Sequence, residues 1–157
     1  MNQTLKQQFT RRITQANRSQ LIVVMYEIFF AYTDEAKKCR ENEMHEEFKE
    51  NVRLANQVML QLKSDLDFEY KLSASLFKLY TFVQMLMSRS MIKYRTDELD
   101  EADKIIRPLW EAFTQVAKED TSEPMMKNAE TVYAGMTYGK SDVVENIDAS
   151  YNRGFFV

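Results

Sequence analysis

Few side chains in this sequence are suited to chemistry, and they are not arranged as a catalytic site. The chain has one histidine, His45, and one cysteine, Cys39. A carboxylate-bridged di-iron bundle needs Glu-x-x-His on two helices, and a cysteine-based metal site needs more than one thiol. The sequence therefore excludes both kinds of metal centre and any internal disulfide, and we expect no metal and no cofactor.

His45 is the one candidate for group transfer, because histidine phosphotransfer domains are helical bundles with an exposed imidazole. Glu46 and Glu47 follow it, at positions where a phosphorylated side chain would need positive charge. We interpret His45 as a solvated residue in the first turn of a helix and keep phosphotransfer as a minor alternative.

Two other patterns resemble chemical sites without matching them. Residues 135–141 nearly spell a phosphate-binding loop, but Ala134 stands where the first Gly should be, and no strand is predicted before it. Acidic residues between Asp97 and Asp103 are predicted to lie at the start of a helix, where the dipole favours them on a solvated face. No nucleophile is found with a base, so we do not expect an enzyme.

The composition favours an all-α protein. The chain has 3 Gly and 2 Pro, and every Gly lies at or beyond position 135. Tight β-hairpins rely on glycine-containing turns, so the preceding residues are poorly suited to antiparallel sheets. The net charge of −3 gives no general attraction to nucleic acid or anionic lipid. No apolar run reaches the ~18 residues of a membrane span, so we expect neither nucleic-acid binding nor membrane insertion.

Four amphipathic helices are predicted between residues 17 and 119. Asn17 followed by Gln20 is a capping-box pattern, which predicts a first helix from Arg18 to about Glu41. The next three helices have inward stripes that alternate steps of four and three. These stripes are Phe48, Val52, Ala55, Met59, Leu62 and Leu66; Leu76, Leu79, Val83, Met87, Ser90 and Tyr94; and Leu99, Ala102, Ile106, Leu109, Phe113 and Val116.

Short connections between these helices favour an antiparallel up-down four-helix bundle. We predict connections at residues 42–44, 67–71 and 95–96, and a kink or a lost hydrogen bond caused by Pro108. The predicted organisation is an N-terminal arm over residues 1–16, the bundle over 17–119, and a short fifth helix with an irregular C-terminal extension over 120–157.

The first helix has more apolar surface than one inward face requires. The stripe that suits the bundle core consists of Leu21, Met25, Ile28 and Tyr32. A second stripe, predicted roughly on the opposite side, consists of Ile22, Tyr26, Phe29 and Phe30. A helix that is apolar all round has to be covered all round, so something besides the bundle must cover this one.

Two kinds of cover are consistent with the residues. One is a segment of the same chain, either the arm with Phe9 and Ile13 or the tail with its terminal aromatic residues Tyr151, Phe155 and Phe156. The other is an apolar helix of a partner protein, or of a second copy in a homodimer, lying in the groove. An arm can also fill the groove until a partner displaces it.

Several motifs resemble those of the flagellar secretion chaperones, the FliS family. The resemblance extends from about Phe9 to Ala117, and the segment after about Glu119 is an unmatched extension. The motifs are Gln20-Leu21-Ile22-Val23-Val24-Met25-Tyr26-Glu27, Ser64-Asp65-Leu66-Asp67, Leu76-Phe77-Lys78-Leu79-Tyr80 and Ala112-Phe113.

The resemblance implies a cytoplasmic chaperone, monomeric alone, that binds the disordered C-terminal segment of flagellin. Such a chaperone prevents early polymerisation and delivers its client to the flagellar export gate. It also implies an N-terminal arm that yields to flagellin. The predicted partner-binding residues are Phe9, Ile13, Ile22, Tyr26, Phe29 and Phe30, with Tyr80 and Met87 as weaker candidates. A self-associating helical bundle remains the main alternative, and the lone Cys39 agrees with a reducing cytoplasm.

Overall fold

The computed structural model describes residues 3–126, and this part of the chain contains helices and no strand. The helices are α1 (Gln3–Gln15), α2 (Arg18–Glu41), α3 (His45–Ser64), α4 (Lys71–Lys93) and α5 (Asp97–Glu119). The all-α prediction is confirmed. Residues 120–126 are not helical, and the rest of the predicted fifth helix and tail lies outside the described residues.

The capping box defines the start of α2. The Asn17 side chain accepts a hydrogen bond from the Gln20 N–H at 2.9 Å, and the Gln20 side chain accepts one from the Asn17 N–H at 3.1 Å. Both exchanges satisfy backbone donors that a helix start would otherwise leave unpaired. The helix therefore begins at Arg18 and ends at Glu41, as the sequence predicts.

Helices α2 to α5 form an antiparallel four-helix bundle. Each of these helices packs on the next, and α5 returns to pack on α2. In the side-chain contacts between α2 and the end of α5, the residue numbers rise along α2 as they fall along α5, so the two helices are antiparallel. The pairs are Ser19 with Asp120, Glu27 with Trp110, and Thr33 with Asp103. The predicted up-down topology is confirmed.

The inward stripes are largely as predicted, with differences in the middle of α4 and at the end of α5. The α3 stripe is buried from Phe48 to Leu62. On α4, Leu79 is exposed and Tyr80 takes its place in the core. On α5, Val116 is exposed because it lies near the end of the helix, beyond the buried positions. Pro108 is exposed, and α5 continues through it.

The acidic start of α5 is not a wholly solvated face, so that prediction is wrong for two residues. Glu98 and Asp103 are buried. Asp103 accepts a hydrogen bond from the Thr33 hydroxyl at 2.9 Å and pairs with Lys37, which explains how its charge is tolerated. Burial raises the pKa of Asp103, and Lys37 and Thr33 oppose that shift. This polar cluster joins α2 to α5.

The predicted N-terminal arm is a helix. α1 packs on α2, and its apolar residues Leu5, Phe9 and Ile13 recur every four residues, which places them on one face. Phe9 is buried and the other two are half-buried. The arm is therefore an amphipathic helix laid on the outside of the bundle.

Candidate partner-binding site

The central residues of the predicted partner stripe, Tyr26 and Phe29, lie in the core. Both side chains are 0% exposed. The expectation that this side of α2 faces away from the bundle is wrong for these residues. The same helical face continues through Thr33 and Ala36, which are also buried. These are small residues that let α2 approach its neighbours, so this face and not the other one packs inward.

Tyr26 also joins two helices through its hydroxyl group. The Tyr26 and Tyr80 hydroxyls hydrogen-bond to each other inside the bundle. Burial raises the pKa of both phenols, so each stays neutral. Tyr80 and Met87, the weaker candidates, are core residues. Neither of them presents surface to a partner in this structure.

The stripe predicted to face the core is instead half-buried along its length. It consists of Leu21, Met25, Ile28 and Tyr32. Met25 and Tyr32 pack against the edge of the core. Helices α1, α3 and α5 all pack on α2, so the all-round apolar helix is covered largely from within the chain.

Ile22 and Phe30 are the members of the partner stripe that remain half-buried. The Phe30 ring centroid lies 6.2 Å from that of Trp110, with the rings nearly perpendicular. The Arg107 guanidinium carbon lies 4.9 Å from the Phe30 centroid, within the range of a cation–π contact. Phe30 therefore belongs to an aromatic and basic surface shared by α2 and α5.

A cleft of about 530 Å³ lies at this surface, with α1 along one side. Its apolar lining comes from three helices and includes Leu5, Phe9, Phe30, Ala31 and Trp110. Phe9 is only 8% exposed, so it is the principal anchor of α1. The structure thus brings Phe9 and Phe30 to one cleft, which we call the α1 cleft.

Polar contacts also hold α1 in place. Arg12 forms an ion pair with Glu27 on α2. The Glu27 carboxylate also lies 3.5 Å from the Trp110 indole nitrogen. Ile13, which follows Arg12 in the sequence, is half-buried and does not line the cleft. One ion pair with a half-exposed arginine adds little stability, so the hold on α1 depends mainly on Phe9.

The junction between α1 and α2 is tied down by residues 120–125, which we call the strap. Ala16 and Asn17 are buried. The Asn17 side-chain amide donates to the Asp120 carbonyl at 3.1 Å and to the Ser122 carbonyl at 3.3 Å. The Met125 N–H donates to the Ala16 carbonyl at 3.0 Å. The strap therefore anchors the base of α1 while the rest of that helix lies on the surface.

Sequence reasoning missed the apolar residues on the outside of α4. The predicted stripe places Leu79 in the core, whereas Leu79, Phe82, Met85 and Ile92 are all exposed. Two signals could have found this surface. α4 has no acidic residue, and its apolar residues occur on more than one face.

The residues considered for metal binding and group transfer can also be placed. No cluster of metal-binding side chains occurs within residues 3–126. His45 is an exposed residue at the start of α3, and its ring stacks on Tyr94 with centroids 3.7 Å apart. The loop-like residues 135–141 lie outside the described part. No helix in the described range is both long enough and apolar enough to cross a membrane.

Residues 1–120 match the family model described as the flagellar protein FliS. A search of curated proteins finds no match. The matched region includes all five helices and the α1 cleft.

Proposed function

The chain belongs to the FliS family of flagellar proteins, and on this premise we propose that its client is the disordered C-terminal segment of flagellin. FliS proteins are flagellar secretion chaperones, so a role in flagellum biogenesis follows from membership. The finer proposal is that the chain is a cytoplasmic monomer. It prevents early polymerisation of flagellin and delivers it to the export gate.

The observation that carries this proposal is the α1 cleft, a partly apolar and partly charged surface with a short separate helix along one side. α1 has 13 residues, and isolated helices shorter than about 12–15 residues are marginal in water. Phe9 is its only buried side chain. A longer amphipathic helix from a client can bury more apolar surface on α2 and α5 than α1 does, and can therefore displace it.

The physics of a disordered client suits such a site. A disordered amphipathic segment orders as it binds, and the loss of conformational entropy lowers its affinity for each unit of buried surface. Displacing the part of α1 beyond its anchored base costs little, because Phe9 is its one buried side chain. Once the client helix lies on Ile22, Phe30 and Trp110, its apolar face is hidden from other flagellin chains. Chaperoning and the block on polymerisation then have the same cause.

The proposal is tested by calorimetric titration of the full chain with the C-terminal segment of flagellin from the same organism. We expect Phe30→Asp to weaken binding by at least about tenfold, because it replaces a large apolar contact with a carboxylate that must lose its water when the client helix covers it. Leu60→Asp is the matched control, since Leu60 is an exposed apolar residue on α3. It should bind normally, and circular dichroism should show unchanged helicity in both variants.

Two outcomes would count against the proposal in different ways. Equal binding by wild type and Phe30→Asp would contradict the assignment of the site to Phe30, while flagellin would still be the client. Absence of binding by wild type and by Phe9→Ala, in which α1 is loosened, would rule out flagellin as the client.

Light scattering tests the oligomeric state. We expect a monomer for the protein alone and a one-to-one complex with the flagellin segment. An obligate dimer would favour the self-associating alternative.

A further inference from the structure

The outer face of α4 carries apolar and basic side chains in a single line. Six exposed residues recur on this face at spacings of seven, four, three, four and three. They are Lys71, Lys78, Phe82, Met85, Arg89 and Ile92, which we call the α4 strip. With 3.6 residues per turn, these spacings keep the six on one face over about 32 Å.

The apolar members of the strip are open to solvent. Phe82 is 37% exposed, Met85 38% and Ile92 83%. α4 turns its core residues inward and packs against α3 and α5. No helix among residues 3–126 covers the strip, and an exposed line of large apolar side chains is the usual mark of a contact surface.

The charge of the strip is also unbalanced. α4 has four basic residues and no acidic one. Lys93 pairs with Glu98 at 2.9 Å. Within the described range, Lys71, Lys78 and Arg89 form no ion pair. The strip therefore offers three cations without carboxylate partners, in line with its apolar side chains.

We propose that the α4 strip docks an acidic amphipathic helix of a partner protein. From Lys78 to Ile92 the strip alternates spacings of four and three, as does the seam along which two helices pack side by side. Its apolar members Phe82, Met85 and Ile92 lie three and seven residues apart on this seam. Glutamates or aspartates beside the partner's seam would neutralise Lys78 and Arg89. The strip lies outside the α1 cleft, so this partner is additional to the client and the proposal stands apart from the proposed function.

A helix suits this surface better than a lipid bilayer. A helix that lies in a membrane interface separates a charged face from an apolar one. Here the cation Arg89 stands between Met85 and Ile92, so inserting the apolar residues would also pull a guanidinium into the lipid. A protein helix can place a carboxylate at that position.

The test uses the full chain and two fluorescent synthetic helical peptides of equal length. Both have leucines spaced by three and four, and one has glutamates where the other has lysines. We expect the glutamate peptide to bind at least about tenfold more tightly in fluorescence anisotropy, because like charges at an interface are strongly unfavourable. High salt should weaken this binding, as for any exposed charge pairing.

Variants of the strip then locate the site. Arg89→Glu should weaken binding of the glutamate peptide by about tenfold, and Phe82→Ser should also weaken it. The matched control is Lys104→Glu, at an exposed lysine of α5 that has no ion pair in the described part. Its affinity should stay near that of wild type. Titration with the flagellin segment should be unchanged in all three variants.

Each contrary result overturns the proposal. Equal binding of the two peptides, or normal binding by Arg89→Glu, would show that the strip does not select an acidic helix. Binding of phosphatidylserine vesicles that depends on Arg89, with no peptide binding, would make it a lipid surface. A dimer that Phe82→Ser abolishes would make the occupant a second copy. Loss of the flagellin segment in Arg89→Glu would make the strip part of the client site.

Discussion

The bundle has two apolar surfaces that differ in how they are covered. At the α1 cleft, a short helix of the same chain forms one side of a cleft that Phe30 also lines, and its Phe9 is buried. On the outside of α4, no described helix lies over Phe82, Met85 and Ile92. A surface with its own cover can be opened by competition. A surface without such cover can select a partner by charge, and Lys71, Lys78 and Arg89 of α4 form no ion pair among residues 3–126.

The largest effect is expected when a core residue and a surface residue are each replaced by alanine. Phe29→Ala should lower the free energy of unfolding by about 3–5 kcal/mol, because it leaves a cavity in the packed core. Phe82→Ala should cost less than about 1 kcal/mol, since Phe82 is partly solvated already. Urea unfolding followed by circular dichroism gives both values. A similar loss in the two variants would contradict the assignment of Phe29 to the core.

The next test concerns the hydroxyl pair that closes the inner face of α2. Tyr80→Phe leaves the Tyr26 hydroxyl buried without its partner, and we expect a loss of about 1–3 kcal/mol in the free energy of unfolding. The double variant with Tyr26→Phe should recover part of this loss, because no unpaired hydroxyl remains. Affinity for the flagellin segment should not change. A weakened affinity would show that this face opens to the client.

A smaller effect is expected when the cover of the α1 cleft is loosened. Phe9→Ala removes the buried anchor of α1, so the fraction of molecules with an open cleft should rise. Apparent affinity scales with that fraction, and we expect the flagellin segment to bind several-fold more tightly by calorimetry. Hydrogen exchange of the α1 amides should speed up in the free variant. Weaker binding would mean that Phe9 itself contacts the client.

The smallest predicted effect is a pH dependence at the strap. Hydrogen bonds from Ser122 and Ser19 lower the pKa of Asp120 from 3.8 to about 2. A lowered pKa in the folded state means that the stabilisation is complete above pH 3.8 and is lost as the pH falls towards 2. Asp120→Asn should flatten this part of the unfolding profile relative to wild type. An identical profile in the variant would rule out this contribution.

The sequence was sufficient to predict the bundle and most of its inward stripes. The capping box of Asn17 and Gln20 specifies the start of α2 by local hydrogen bonds, and such signals do not depend on the rest of the fold. The stripe of α3 is also clear, because its opposite face is polar. Local chemistry and a single apolar phase are the features that sequence reasoning recognises best.

The orientation of α2 could not be predicted in the same way. A helix that is apolar all round has two apolar stripes of similar hydrophobicity, which we call its phases. Only the packing of neighbouring helices decides which phase faces inward. The clue lay further along the helix, where one phase continues over Thr33 and Ala36 and the other meets Glu35. The same ambiguity affects the candidate site, because its residues were chosen on the phase that proved to face inward. Phe30 and Ile22, at the edge of that phase, remain candidates for client contact.

Asn17 links the start of α2 to the strap that follows α5, at one end of the bundle. Its side chain caps α2 on one side and holds the Asp120 and Ser122 carbonyls on the other. Release of the base of α1 and detachment of the strap therefore break some of the same hydrogen bonds. Thermodynamic coupling is reciprocal, so a ligand that pulled the strap away would favour release of α1 by the same factor by which release of α1 favours that ligand.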